Sequence, residues 1–361
     1  MANPSTINPK EKREMKKSVF VLVALLVASF AALVGCFGSG KPTLHLYCWA
    51  DYISPELIEA FEKENNCRVV YDTFDSNEAL LAKLQAGATG YDLIFPSHYV
   101  VSTLSTSGKL MKLDHSKLTI MDHLDPEVCN HLPDSKCEYV VPYMMSYTGI
   151  GYNKEVIKDF EPSWTMFDRT DLQKRATLLD DKREVIGAAL LTLGLDPNTL
   201  DPDDLAKAKV VIKRWLANVS KLENEQYKNG IASKEFSLVM GYSGDMVQVV
   251  DENPHVAFAI PREGALMSCD VLAIPSTAKN VDLAYKFINF IHTPENAAAN
   301  TEYVFYLCPN KDAYPLLSDE IKSNPAVFID KGIFAKSRFT IDHGEKEAIL
   351  NKLWEELKAN R

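Results

Sequence analysis

Seven cysteines occur in the 361-residue chain, and no two of them are spaced as a CxxC pair. That spacing leaves out zinc ribbons and thioredoxin-like redox centres. The chain has no GxSxG elbow, no P-loop and no HExxH pair, so the motifs of α/β-hydrolases, P-loop enzymes and zinc proteases are missing. Beyond position 35, no apolar run reaches the roughly 20 residues that a membrane-spanning helix needs. No fixed-period repeat appears, and no stretch is rich enough in Pro or Gly to separate independent domains. Nothing here calls for catalysis, a cofactor or a resident metal. The expectation is a binding protein rather than an enzyme.

What is present begins with an export signal. Lys16 and Lys17 precede an apolar run from Val19 to Val34, which ends in Leu33-Val34-Gly35-Cys36. A basic start, a short apolar core and small residues before a cleavage point form a secretory signal over 1–35. The cysteine in first place after the small residue resembles the lipobox of bacterial lipoproteins, which implies that Cys36 is diacylated and becomes the mature N-terminus. An uncleaved anchor helix is the alternative. Met15 stands directly before the basic pair, so Met1–Glu14 reads as a mis-annotated or vestigial extension, and the true start is left open between Met1 and Met15. Residues 36–42, with Gly38-Ser39-Gly40, form a tether between the lipid and the body of the protein.

Removing 1–35 takes away five basic and two acidic residues and moves the net charge from −10 to −13. Such an acidic chain argues against nucleic acid and anionic lipid as partners and mildly favours cationic ligands. Contact with the membrane is left to the lipid alone. The six cysteines that remain are Cys48, Cys67, Cys129, Cys137, Cys269 and Cys308. Export permits disulfides, with Cys129 and Cys137 the closest pair, whereas Cys48 and Cys269 sit in apolar strands and read as small buried hydrophobes. The pairing stays open.

From Thr43 the chain alternates strand and helix. Strands are expected at Thr43–Trp49, Arg68–Thr73, Tyr91–Pro96, Phe236–Gly241 and Asp270–Pro275. Helices are expected at Pro55–Asn65, Glu78–Gln85, Asp181–Leu193, Pro202–Val219, Asp282–His292 and Glu345–Ala359. Asp75 and Glu78 fit a capping box for the second helix, and Asp181 and Glu184 fit another for the third. This order predicts an α/β fold with parallel strands, helices on both faces and ligands at the carboxyl ends of the strands. Trp49-Ala50-Asp51-Tyr52 and Ser97-His98-Tyr99 fall at two such ends.

The order of motifs resembles the periplasmic polyamine-binding proteins, the receptors of spermidine and putrescine ABC importers. The likeness runs from Thr43 onward. It rests on Tyr47-Cys48-Trp49-Ala50-Asp51-Tyr52, Phe74-Asp75-Ser76-Asn77-Glu78, Tyr91-Asp92-Leu93-Ile94-Phe95-Pro96-Ser97, Thr148-Gly149-Ile150-Gly151-Tyr152-Asn153, Leu179-Asp180-Asp181-Lys182-Arg183-Glu184-Val185 and Asp270-Val271-Leu272-Ala273-Ile274-Pro275. The resemblance implies a two-lobed venus-flytrap fold whose lobes close over a ligand by hinge motion. The lobes would comprise 43–145 with 271–313, and 146–270 with 314–361. Strands crossing between them would lie near Pro142–Gly151 and Ser268–Pro275, with a third crossing near Lys311–Leu316. It also implies a monomer that hands its polyamine to an ABC permease outside the cytoplasm.

A polyamine is a methylene chain carrying ammonium groups. Carboxylates suit its ends, and aromatic faces suit both its stem and, through the ring quadrupole, its charges. By resemblance, Trp49 and Tyr52 sandwich the ligand, with Asp51 at an acidic position that faces the cleft rim. Ser97 and Tyr99 supply a hydroxyl and a wall, and Tyr306 a further wall. Tyr242 and Asp245 match an aromatic with a carboxylate three residues on. The aspartate is the putrescine-binder pattern, so Asp245→Asn is expected to hurt putrescine more than spermidine. Asp270 opens an apolar run, where a carboxylate must be paired or face a cleft because an unpartnered buried charge is expensive, and the resemblance implies that it is the amine's counter-ion. Asp181 and Glu184 would meet the far amine of spermidine, or serve only as helix caps. All of these carboxylates cannot surround one dication, because their mutual repulsion would raise their pKa values. Ser268 stands where the family carries Trp or Phe, and Ala335 falls near a glutamine of spermidine binders. Both departures favour putrescine over spermidine. The rival within the same architecture is an iron(III) receptor, but Tyr303 and Tyr306 are not adjacent as those ligands are.

Overall fold

The computed structural model describes residues 40–172 and 174–359; the expected signal segment 1–35 and Cys36 lie outside them. From Thr43 onward the chain forms one compact unit. Strand β1 (Thr43–Cys48), helix α1 (Pro55–Asn65), strand β2 (Arg68–Thr73), helix α2 (Asn77–Gln85) and the short strand β3 (Leu93–Ile94) open it. β1 lies parallel to both β2 and β3. Leu44 and Leu46 of β1 are wholly buried, as are Leu93 and Ile94 of β3. Each such side chain contributes about 1.5–3 kcal/mol by leaving water.

Two long strands join the halves of the molecule. β4 (Val140–Asn153) pairs antiparallel with β9 (Leu266–Ala273), with a register shift between Pro142 and Met144. At one end β9 meets β3, so the first sheet runs β2-β1-β3-β9-β4. At its other end β4 pairs with β7 (Leu238–Tyr242) and β8 (Val256–Ala259). β7 in turn lies parallel to β5 (Ala176–Leu178), and β5 to β6 (Lys221–Leu222). Helices α3 (Lys182–Thr192), α4 (Pro202–Asn218), α5 (Gln226–Ala232) and α6 (Ser243–Glu252) serve this second half. Then follow α7 (Val281–Ile291), α8 (Pro294–Val304), strand β10 (Arg338–Phe339) and helix α9 (Glu347–Ala359). No described helix is long and apolar enough to cross a membrane.

The apolar side chains divide into two cores. One gathers residues from β1 to Tyr147, most of β9, α7 and α8; the other gathers Ile150 to Val256. The tail does not follow the expected division at 314. Leu317, Ile321, Val327 and Phe339 bury in the first core, whereas Leu350, Trp354 and Leu357 of α9 bury in the second, with Leu353 packed against it. The third passage between the cores therefore falls between Phe339 and Leu350 rather than near Lys311–Leu316. The segment Tyr314–Leu316 is a single 3₁₀ turn within the first half.

Several element boundaries also shift. Ser76, not Asp75, caps α2, accepting from the Ala79 amide, and Glu78 turns away to an ion pair. The third strand shrinks to Leu93–Ile94, while β9 starts four residues before Asp270. α1 and β2 span the expected residues.

Candidate functional site

The carboxyl ends of β1 and β3, the midpoint of β9, and the N-termini of α3 and α6 converge on one cleft. It holds about 790 Å³ of space between atoms, its open mouth included. Of the residues expected at the site, Trp49, Tyr52, Ser97, Tyr99, Asp181, Glu184, Tyr242, Asp245, Asp270 and Tyr306 all line it. Asp51 does not: its side chain is 67% exposed at the rim and reaches Lys228 instead. Ala335 is not among the lining residues, whereas Ser268 is, with its hydroxyl 2.9 Å from that of Ser146.

Asp270 sits where backbone register forces a meeting. Ser97 bridges antiparallel to it, and the Val271 amide donates to the Pro96 carbonyl at 2.9 Å. The Asp270 carboxylate accepts from Tyr52 Oη at 2.5 Å and from Ser97 Oγ at 2.6 Å. Burial pushes its pKa up to about 6, against the pull of those two hydroxyls. Asn77 holds the arrangement in place: its amide donates to Ser97 Oγ and Tyr99 Oη, and its carbonyl oxygen accepts from the Ser97 amide. The sequence marks Asn77 only as part of a motif. Its role appears once β3 and α2 are brought side by side.

At the opposite wall, Asp181 caps α3 by accepting from the Arg183 and Glu184 amides. Glu184 does not close the capping box. Its carboxylate accepts from Thr148 Oγ1 of β4 at 2.5 Å and faces the cleft. Burial first, and Asp181 second, push the Glu184 carboxyl up to about 8; burial and Glu78 raise Asp181. Two acids in one dry corner resist ionising together unless a cation joins them.

Asp245 lies in the first turn of α6 without capping it. It accepts from Tyr227 Oη at 2.6 Å and Tyr306 Oη at 2.9 Å, and Lys228 Nζ stands 3.7 Å away. Tyr306 packs edge-on against Tyr52 at 5.3 Å, and Trp49 leans on Phe74 at 4.3 Å. The Trp49 indole nitrogen is buried without a partner among the described residues. Gly244 makes room for Tyr306, since a Cβ there would come within 2.3–2.5 Å of the ring. Gly244→Ala therefore displaces the tyrosine that holds Asp245. It should lower stability in urea unfolding by about 1–3 kcal/mol.

Ion pairs tie the two walls together near the mouth. Lys182 and Arg183 of the second half reach Glu78 of the first at 2.5 and 3.3 Å, and Arg183 lies over the Tyr99 ring at 4.3 Å. Burial alone would raise Glu78, but Lys182 and Arg183 outweigh it and hold the carboxyl below its ordinary value. Cys48, Cys129, Cys137, Cys269 and Cys308 are buried free thiols, and Cys67 is buried as well.

Comparison with known proteins identifies the family. Residues 56–329 match the model of the bacterial extracellular solute-binding proteins. The putrescine-binding periplasmic protein PotF of Escherichia coli is 36% identical over 356 residues, covering 92% of this chain and 96% of that one. A solved structure of a spermidine/putrescine ABC transporter protein from Listeria monocytogenes superposes with a TM-score of 0.83 at 36% identity. It covers 89% of this chain and all of that one. The TpPotD lipoprotein of Treponema pallidum gives 0.78 at 32% identity, over 87% and 99% of the two chains. The chain belongs to the bacterial extracellular solute-binding proteins and has their two-lobed α/β fold, with β4 and β9 crossing between the lobes.

Proposed function

We propose, proceeding from that membership, that this receptor captures a short polyamine, putrescine ahead of spermidine, and delivers it to an ABC importer. The observation that carries the proposal is Asp270. It is a buried carboxylate set by two hydroxyls at the floor of an aromatic-walled cleft, facing a second acidic corner at Asp181 and Glu184. Such an arrangement favours a ligand with positive charge at both ends and an apolar middle. The names of the E. coli and L. monocytogenes relatives support the same ligand class. Ser268, small and hydroxylated, gives the cleft one aromatic plate fewer, which supports the shorter ligand.

Trp49, Tyr52, Tyr99, Tyr242 and Tyr306 are assigned to the walls, and Ser97 to hydrogen bonding beside Asp270. Asp51 is assigned to the rim. No catalytic step is assigned to the cleft. The lobes, 43–145 with most of 271–339 and 146–270 with α9, are taken to close by hinge motion about β4 and β9. The N-terminal signal and diacylation of Cys36 are proposed to anchor a monomeric receptor on the outer face of the cytoplasmic membrane, a reading that the T. pallidum lipoprotein supports.

Titration calorimetry with putrescine, spermidine and iron(III) tests the ligand class. Putrescine is expected to bind with a Kd between roughly micromolar and nanomolar. Iron binding without heat from either polyamine would replace this reading with that of a metal receptor.

A further inference from the structure

Among the described residues, one cation lines the cleft from within the chain. Lys228, in the first turn of α5, places Nζ 3.7 Å from Asp245 and 3.4 Å from Asp51, and its side chain is only 16% exposed. It is fixed there by its neighbour, since the Tyr227 hydroxyl donates to the same Asp245 carboxylate at 2.6 Å. Asp51 belongs to the loop after β1, so the ammonium also spans the two walls. Burial opposes the charge on Lys228, but Asp245, Asp51 and Glu225 around it prevail and favour the charged form. The other acids of the cleft are met differently. Among the described residues, the ion pairs of its lining acids fall on Glu78, Asp180 and Asp245, Asp180 being met by Lys358, while Asp270 and Glu184 take hydroxyl hydrogen bonds.

We propose that Lys228 is the specificity-determining residue of the cleft, a tethered ammonium that neutralises Asp245 and excludes a third cationic centre. Asp270 and the Asp181–Glu184 corner then receive the two ends of a diamine. A triamine must bring another charge beside Lys228, and like charges in one desolvated site repel strongly. Discrimination comes from this repulsion rather than from a better contact to the favoured ligand. Asp245 thus acts through Lys228, and is not the free counter-ion that its sequence position suggests. This proposal rests on the polyamine reading above and adds the basis of selection within it.

Calorimetry on the full chain with putrescine and spermidine, for the unmutated protein, Lys228→Met and Lys228→Arg, provides the test. Methionine keeps the apolar stem and removes the charge. Lys228→Met should bind spermidine about tenfold more tightly while putrescine stays within about threefold, and Lys228→Arg should keep the unmutated ratio. Equal shifts for the two ligands, or no gain for spermidine, overturn the proposal. Asp245→Asn gives a second arm that does not depend on Lys228→Met folding. The uncompensated ammonium should weaken spermidine more than putrescine, and the opposite ranking, expected of a direct counter-ion, overturns the proposal too. Polyamine binding with unchanged ratios removes Lys228 alone from the account. No heat from the unmutated chain with either amine removes the polyamine reading as a whole, and this proposal with it.

Discussion

Asp270→Asn should weaken putrescine binding by roughly 30-fold to several thousand-fold, the effect of removing one partner from a buried charge pair at about 2–5 kcal/mol. The reason lies in where the charge sits. Asp270 is 7% exposed, and both of its oxygens are held by hydroxyl donors. A ligand ammonium placed there meets a counter-charge that need not reorganise, in surroundings with little water to screen it. The substitution also separates a binding role from a structural one. Burial already raises the carboxyl to about 6, so the ionised group is a burden on the ligand-free fold at neutral pH. An amide of the same shape removes that burden and still accepts from Tyr52 or Ser97. The melting temperature of ligand-free Asp270→Asn at pH 7 should therefore equal or exceed that of the parent, while calorimetry records the lost affinity. A variant that melts much lower and binds normally would make Asp270 a structural residue.

Much of this site was legible from the chain alone, for a physical reason. A carboxylate at the head of an apolar run must be paired or face a cleft, whatever the fold. Aromatic residues directly after a strand fall where open α/β sheets bind ligands. Asp270, Trp49 and Tyr52 follow from those two rules, and the strand and helix periods placed α1 and β2. What stayed hidden depends on contacts between distant segments. Asn77 reads only as one residue of a motif until β3 delivers Ser97 and Tyr99 to it across 20 and 22 positions. Lys228 carries no local signal in the sequence, because its partners lie 177 residues before it and 17 after it in the chain. The capping box at Asp181 and Glu184 was half right. The local rule placed the cap on Asp181, and a buried threonine on β4 drew Glu184 away from it. Short turns between 314 and 339 carry no period that tells which core their apolar side chains enter.

Putrescine binding at pH 7 should release about one proton, and affinity should climb as the pH rises from 6 to 8. Glu184, raised to about 8 by burial and by Asp181, is largely protonated in the ligand-free receptor at pH 7. The ligand stays a dication across this range, since primary amines titrate near 10. An ammonium brought to the Asp181–Glu184 corner favours the ionised acid, so the proton leaves as the ligand enters. Asp270, with its value near 6, adds a further loss of affinity below that pH. The sign for stability runs the other way. A carboxyl raised in the folded state binds a proton that the unfolded chain has already given up. Its stabilising contribution is full below about 4.5, the unfolded value, and is lost as the pH climbs through 8. The ligand-free melting temperature should fall over that window, and Glu184→Gln should flatten the fall. Calorimetry in buffers of different ionisation enthalpy counts the released protons directly. Glu184→Gln should abolish the release at pH 7 and weaken putrescine by about one to two orders of magnitude, the scale of one lost charge-assisted hydrogen bond. A parent protein that binds putrescine with no proton release, and a Glu184→Gln variant of unchanged affinity, would leave Glu184 bonded to Thr148 as part of the wall and place the second amine elsewhere.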